Sequence, residues 1–240
     1  MASSDQIHLI NTYLEGVTEA PKTAVDRIYN ALHEQIVSLT LTPGMPLIRH
    51  DLCAEFNVSQ TPVREALQRL ERVGLIKVKP QSGTEVSYID LKQVKRNHFL
   101  REALEFEVVR RLAQSPDPAL IQKLTTLVDM QVQLANGNDE EMGLFTRLDQ
   151  AFHQTMFAAV EQKELYDLVR SMAGHMDRIR RLHLPSEGKV RNIINLHRRI
   201  IECISQGDEQ AAIAAMRIHL EGTLSQLDTI YHANRQYFSD

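Results

Sequence analysis

Four side chains of this 240-residue sequence have the types and spacing to hold a metal ion. Asp149 and His153 stand four apart in LDQAFHQTMF, a segment of helical periodicity, so they share a face. His197 lies in NLHRRIIECI and His219 in AMRIHLEG. Each sits among apolar residues, on the side a helix turns inward. One carboxylate with three imidazoles is a donor set for Zn²⁺, Ni²⁺ or another first-row divalent ion. On spacing alone, a hydrogen-bonded core histidine is the commoner explanation for each ring. Five of the other histidines, His8, His33, His98, His183 and His232, show no ligand-type partner at helical spacing.

A second group of residues has the chemistry to read nucleic acid. Between 60 and 80 the chain carries Arg64, Arg69, Arg72, Lys77 and Lys79 against Glu65 and Glu71, on a protein of net charge −4. A basic patch on a mildly acidic chain can dock phosphates, although on charge alone a solvated helix face explains it better. Ser59 is placed to cap a helix whose first turn holds Thr61 and Pro62. Amides at a helix start suit a phosphate. Gln60 has the fork to pair with adenine, and Arg64 the fork for guanine.

These residues need elements to position them. Apolar positions Val25, Ile28, Leu32, Ile36 and Leu39 predict a helix over 23–39, stopped by Thr42-Pro43-Gly44. A short helix over 49–56 follows, with Asn57 as its C-cap, and then a helix from about 60 to Val73 that ends at Gly74. Residues 75–79 and 84–88 read as two strands around the turn 80–83. Helix, helix, helix and hairpin within about 65 residues is the order of a winged helix-turn-helix. Its second helix enters the major groove of DNA. From Asp90 onward the periodicity is helical throughout, with helices expected over 90–113, 118–135, 140–160, 162–183, 189–205 and 208–236. The fold class is mainly α: a tail over 1–20, a winged helix-turn-helix over 21–88 and an all-α bundle over 89–240.

Composition agrees. Aromatics are 5%, Trp is absent, and 10 Gly with 8 Pro are few for a turn-rich sandwich or barrel. No apolar run reaches the ~18 residues of a membrane span, and the first 20 residues lack the pattern of a signal peptide. Cys53 and Cys203 form no CxxC pair, so neither a disulfide scaffold nor a four-cysteine zinc site is expected, and the reducing cytoplasm is the expected location.

The strings VSQTPVREALQRLERVGLI at 58–76 and VKPQSGTEV at 78–86 resemble the winged helix of the GntR family of bacterial transcription regulators. Carried over by position, the resemblance implies DNA contacts at Gln60, Thr61 and Arg64, at Gly83 in the wing, and at Arg49 or His50. Most members have Arg in place of Gln60 and many have Arg in place of His50, so a departure from the commonest operator is expected. Farther on, LREALEFEVVRRLA at 100–113, LDQAFH, LHRRIIECISQGD and MRIHL resemble the FCD domain of FadR-type members. The metal-binding branch of that subfamily has an Asp and a His one turn apart and two later His, which fall on Asp149, His153, His197 and His219.

The resemblance implies a homodimer on double-stranded operator DNA, responding to a small carboxylate such as a sugar acid in a metal-containing pocket. It also places Arg101 toward that pocket. Arg101 could grip a carboxylate or equally pair with Glu105 at i+4. His175, Arg178 and Asn195 are weaker effector-binding candidates. Two other functions share some of these features: a metal-dependent hydrolase, and an architectural DNA-binding protein with structural zinc. The sequence has no HExxH or similar arrangement to support the hydrolase, which would also leave the winged helix without a role.

Overall fold

A computed structural model describes residues 2–15, 23–79, 83–135, 137–183 and 188–239. The elements are α1 Ser4–Glu15, α2 Ala24–Val37, α3 Arg49–Phe56, α4 Gln60–Arg72, β1 Ile76–Lys79, β2 Gly83–Val86, α5 Leu91–Gln114, α6 Pro118–Gln133, α7 Asp139–Ala159, α8 Lys163–Ser171, α9 Gly174–His183, α10 Lys189–Ser205, α11 Glu209–Leu224 and α12 Leu227–Ala233. A 3₁₀ turn at Arg235–Tyr237 follows. The chain forms two compact units. One comprises Met1–Glu19, His98–Leu168 and Ser186–Leu224. The other comprises Ala20–Asn97, Val169–Pro185 and Ser225–Asp240.

The winged-helix unit starts at a capping box. Thr23 Oγ1 accepts from the Asp26 amide at 3.1 Å, and Asp26 Oδ2 accepts from the Thr23 amide at 3.2 Å. Val63, Ala66, Leu67 and Leu70 of α4 are buried at helical spacing against Ile28, Leu32 and Ile36 of α2. Asn57 ends α3 at φ 51°, ψ 54°, the left-handed conformation that lets the chain turn into α4. β1 and β2 pair antiparallel with Ile76 opposite Val86 and Lys79 opposite Gly83. Gly83 has φ 98°, which a side-chain-bearing residue adopts only under strain. Of the expected hairpin turn, residues 80–82 lie outside the described residues. Segment 44–47, which follows the break expected at 42–44 and had no element assigned to it, joins the other edge of β2: Leu47 N–H donates to Thr84 O at 2.8 Å and Val86 N–H to Met45 O at 2.9 Å.

The helical unit is built on α5, α6, α7, α10 and α11 around a core that includes Leu124, Leu148, Phe152, Ile200 and Met216. Three expectations are corrected here. Residues 4–15 are not a loose tail: they form α1, whose Ile10 and Leu14 are buried in this core. The helix expected over 162–183 is two helices, because Met172 and Ala173 bond back only three residues and Gly174 restarts the helix. A Cβ on Gly174 would lie 2.7 Å from the Leu75 side chain, so any larger residue there would force that buried side chain to shift. The helix expected over 208–236 likewise ends at Leu224 and resumes as α12, and the chain then returns beside residue 89, with Ile89 N–H donating to Tyr237 O at 2.8 Å. The boundary expected at 88/89 therefore misses two later segments that pack with the winged helix.

Candidate metal centre and nucleic-acid interface

Three helices of the helical unit bring the four sequence-identified ligands together. Asp149 and His153 come from adjacent turns of α7, His197 from α10 and His219 from α11. One donor atom from each lies within 4.8 Å of all the others. His153 Nε2 and His219 Nε2 are 3.1 Å apart. Asp149 Oδ1 is 3.4 Å from His197 Nε2 and 4.0 Å from His153 Nε2. Donors sharing one ion at about 2.1 Å stand roughly 3.0–4.2 Å from each other, so these separations fit a common ion.

The chemistry of the donors fits as well. His197 is fully buried and its Nε2 has no hydrogen-bond partner. Burial pushes its ring toward the neutral form, and burial with the two neighbouring imidazoles holds His219 well below the ordinary histidine range. Imidazole nitrogens and a carboxylate oxygen all offer lone pairs, so the four side chains together form a cation-binding set. The 3.1 Å contact between His153 Nε2 and His219 Nε2 is of hydrogen-bond length, and a shared cation would take the place of the proton between them.

Beyond the ligands, Phe152 stacks on His197 at 4.1 Å between ring centres. Gln131 of α6, also fully buried, places Oε1 2.8 Å from His197 Nδ1. Glu105 of α5 places Oε2 2.6 Å from His153 Nδ1, a close contact whose angle falls short of a linear hydrogen bond. The other Glu105 oxygen pairs with Arg101. Although burial opposes it, Arg101 and then His153 bring the Glu105 carboxyl down to about 2. Arg101 is thus in the i+4 ion pair that the sequence offered as one of two readings.

Glu105 and Gln131 were missed as parts of this centre. Gln131 did leave a signal, since it continues the apolar face of Leu124, Leu127 and Val128 as a polar residue. His98, thought to lack a partner, faces Glu102 at 3.4 Å at i+4.

The other effector candidates are not brought to the cluster. Asn195 is exposed on α10. His175 and Arg178 belong to the winged-helix unit, where α9 packs on α2. His175 Nδ1 accepts from the Asp90 amide at 3.1 Å and from Arg178 Nη2 at 3.0 Å, while Nε2 lies 3.1 Å from Gly74 O. With Nδ1 accepting, the ring is the neutral Nε2–H tautomer, which donates to Gly74. Burial, helped by the Arg178 charge, lowers His175 to about 4. Arg178 is itself fully buried and donates from Nη1 to Ser87 O at 2.6 Å. These two residues pin α9 to the end of α4 and the base of the wing.

All six residues expected at DNA, Arg49, His50, Gln60, Thr61, Arg64 and Gly83, are exposed. Arg49 and His50 open α3, and Gln60, Thr61 and Arg64 occupy the first turns of α4. Ser59 is the N-cap, but its hydroxyl makes no capping bond. Arg69, by contrast, is paired with Asp26 at 2.7 Å. Among the described residues, no helix is long and apolar enough to cross a membrane.

Comparison with known proteins agrees with both halves. Residues 24–86 match the bacterial regulatory proteins of the gntR family, and residues 98–222 match the FCD domain. The chain is 33% identical over 212 residues to an uncharacterized HTH-type transcriptional regulator in an unstable DNA locus of Streptomyces ambofaciens, covering 88% of each chain. It is 28% identical over 214 residues to the HTH-type transcriptional repressor RspR of Escherichia coli (strain K12), covering 89% of this chain and 93% of that one. Among solved structures, E. coli McbR/YncC superposes with a TM-score of 0.69 at 20% identity, covering 88% of this chain and 98% of that one, which shows a shared fold. The matched family and the two sequence relatives are transcription regulators, not enzymes, which removes the hydrolase reading. The chain belongs to the gntR family of bacterial transcription regulators and carries an FCD domain after its DNA-binding winged helix.

Proposed function

We propose that this protein is a cytoplasmic homodimeric repressor that releases its operator when a small carboxylate, such as a sugar acid, binds beside a Zn²⁺ or Ni²⁺ ion. The observation that carries this reading is the convergence of Asp149, His153, His197 and His219. A bound ion would supply a Lewis-acidic attachment point for a carboxylate oxygen. Arg101 is the candidate to orient that carboxylate, exchanging part of its pairing with Glu105 for the ligand. Repression, rather than activation, is favoured by the repressor function stated for the E. coli relative. A dimer is favoured because one winged helix covers too little DNA for a specific site, whereas paired half-sites mirror two-fold symmetry.

The test is a thermal-shift screen of sugar acids and small dicarboxylates with Zn²⁺ or Ni²⁺ present. A ligand of the native state raises the melting temperature by mass action. The hit should lose its effect when His197 or His219 is replaced by Ala. Metal that binds while no carboxylate shifts the melting would instead mark a closed structural site. For the DNA end, Arg64→Ala should weaken binding to a duplex selected from a random pool by about 1–3 kcal/mol and relax preference at one position. Unchanged affinity in a gel-shift titration would remove Arg64 from the reading set.

A further inference from the structure

We propose that Gln131 is a positioning residue of the metal centre: it fixes the His197 tautomer whose Nε2 lone pair is available to the ion. This rests on the metal-site reading above. The His197 ring is clamped by stacking on Phe152, so its plane is set and the placement of its proton decides what it can do. Gln131 Oε1, 2.8 Å from Nδ1, accepts the Nδ1 proton. A neutral imidazole has only one N–H. Nε2 is then a bare lone pair, 3.4 Å from Asp149 Oδ1 and without a hydrogen-bond partner.

A lone pair facing a carboxylate oxygen is an unfavourable arrangement unless a cation lies with them. Without an acceptor at Nδ1, the better arrangement moves the proton to Nε2, where it faces the Asp149 carboxylate. That arrangement puts a proton where the ion would sit and closes the site to metal. Gln131 prevents it, and does so while its own buried Nε2 has no partner. A buried amide with one unmade bond on an otherwise apolar helix face weakens the metal-free fold. Its place is explained by the ring it holds, as outer partners of metal-bound histidines commonly fix tautomer and orientation.

The variants are Gln131→Met, similar in shape without the acceptor, and Gln131→Glu, which presents an acceptor oxygen in either orientation. Zn²⁺ alone is the probe, titrated in competition with a chromophoric chelator. Gln131→Met should weaken Zn²⁺ binding about 10–100-fold, while the metal-free protein melts no lower than wild type because the unpaired amide is gone. Gln131→Glu should stay close to wild type in affinity. In metal-free protein, long-range ¹H–¹⁵N spectra should show His197 as Nδ1–H in wild type and Nε2–H in Gln131→Met. If Gln131→Met also melts lower, retained affinity in Gln131→Glu together with the ring spectra carries the inference, and weak binding by both variants with an unchanged tautomer overturns it. Wild-type affinity in Gln131→Met overturns it too and leaves the metal site standing. Wild-type protein that binds no Zn²⁺ overturns the metal-site reading itself.

Discussion

The ring of His175 accepts two hydrogen bonds at Nδ1, and a proton there would break both. Its folded pKa is about 4, against about 6.5 in the unfolded chain. Below pH 6.5 the unfolded chain therefore takes up a proton that the folded chain refuses. Stability from this residue is fully present above about pH 6.5 and declines as pH falls toward 4, by up to about 2 kcal/mol at pH 5. Glutamine at this position can still donate to Gly74 and accept from Asp90, but does not titrate. Melting curves of wild type and His175→Gln at pH 7.5 and pH 5 should show the larger loss in wild type. Equal losses would count against a role for His175. The residue also shows what side-chain type alone leaves undecided. Asp149 and His153 could be placed on one face because both lie on the same helix. His175 looked like a pocket residue because nothing local showed that its helix packs on α2. The contacts of Glu105 with His153 and of Gln131 with His197 escaped notice because each joins two helices, a relation that periodicity does not carry.

At the scale of elements, strong local signals survived folding. The α3–α4 turn was legible because Asn57 is one of the few residues that takes left-handed geometry at low cost, and the structure puts it at φ 51°. Asn57→Ala should therefore destabilise the winged helix by about 1 kcal/mol, while Asn57→Gly should be close to neutral. Urea unfolding of the two variants checks this, and equal stability would show that the backbone strain at 57 is negligible. Elements set by packing were less legible. The 44–47 segment has no alternating pattern and pairs because β2 offers it an edge. The breaks at 172–173 and 225–226 carry no proline, and continuous helical periodicity ran through both. Close approach of Gly174 to Leu75 in the folded chain helps to define the first break.

At the scale of the whole molecule, the sequence reads the winged helix as one continuous segment while the packing gathers its unit from three, because the chain leaves the helical bundle and returns to the winged helix twice. Two helices hold residues of both units: α5, divided after Asn97, and α8, divided after Leu168. α5 follows directly on Asp90, whose amide meets His175, and farther along carries Glu105, which meets His153. From Leu91 to Glu105 a helix rises about 21 Å. Regulation requires that the effector bind the DNA-competent and DNA-released states unequally, and the coupling is reciprocal. On the function proposed above, α5 is one covalent path for that coupling, since it holds residues of both units. Lys95 and Arg96 are exposed on it, so they can be changed without touching a core. Replacing both by Gly weakens the helix by about 1 kcal/mol each, whereas replacing both by Ala removes the same charges and keeps the helix. The Ala pair should lower operator affinity at most in a salt-dependent way, and the carboxylate found in the thermal-shift screen should still release DNA. The Gly pair should bind Zn²⁺ and that carboxylate as wild type does, yet show a several-fold smaller effect of the carboxylate on operator affinity in the same gel-shift titration. Full release by the Gly pair would mean that the signal does not depend on the stiffness of α5.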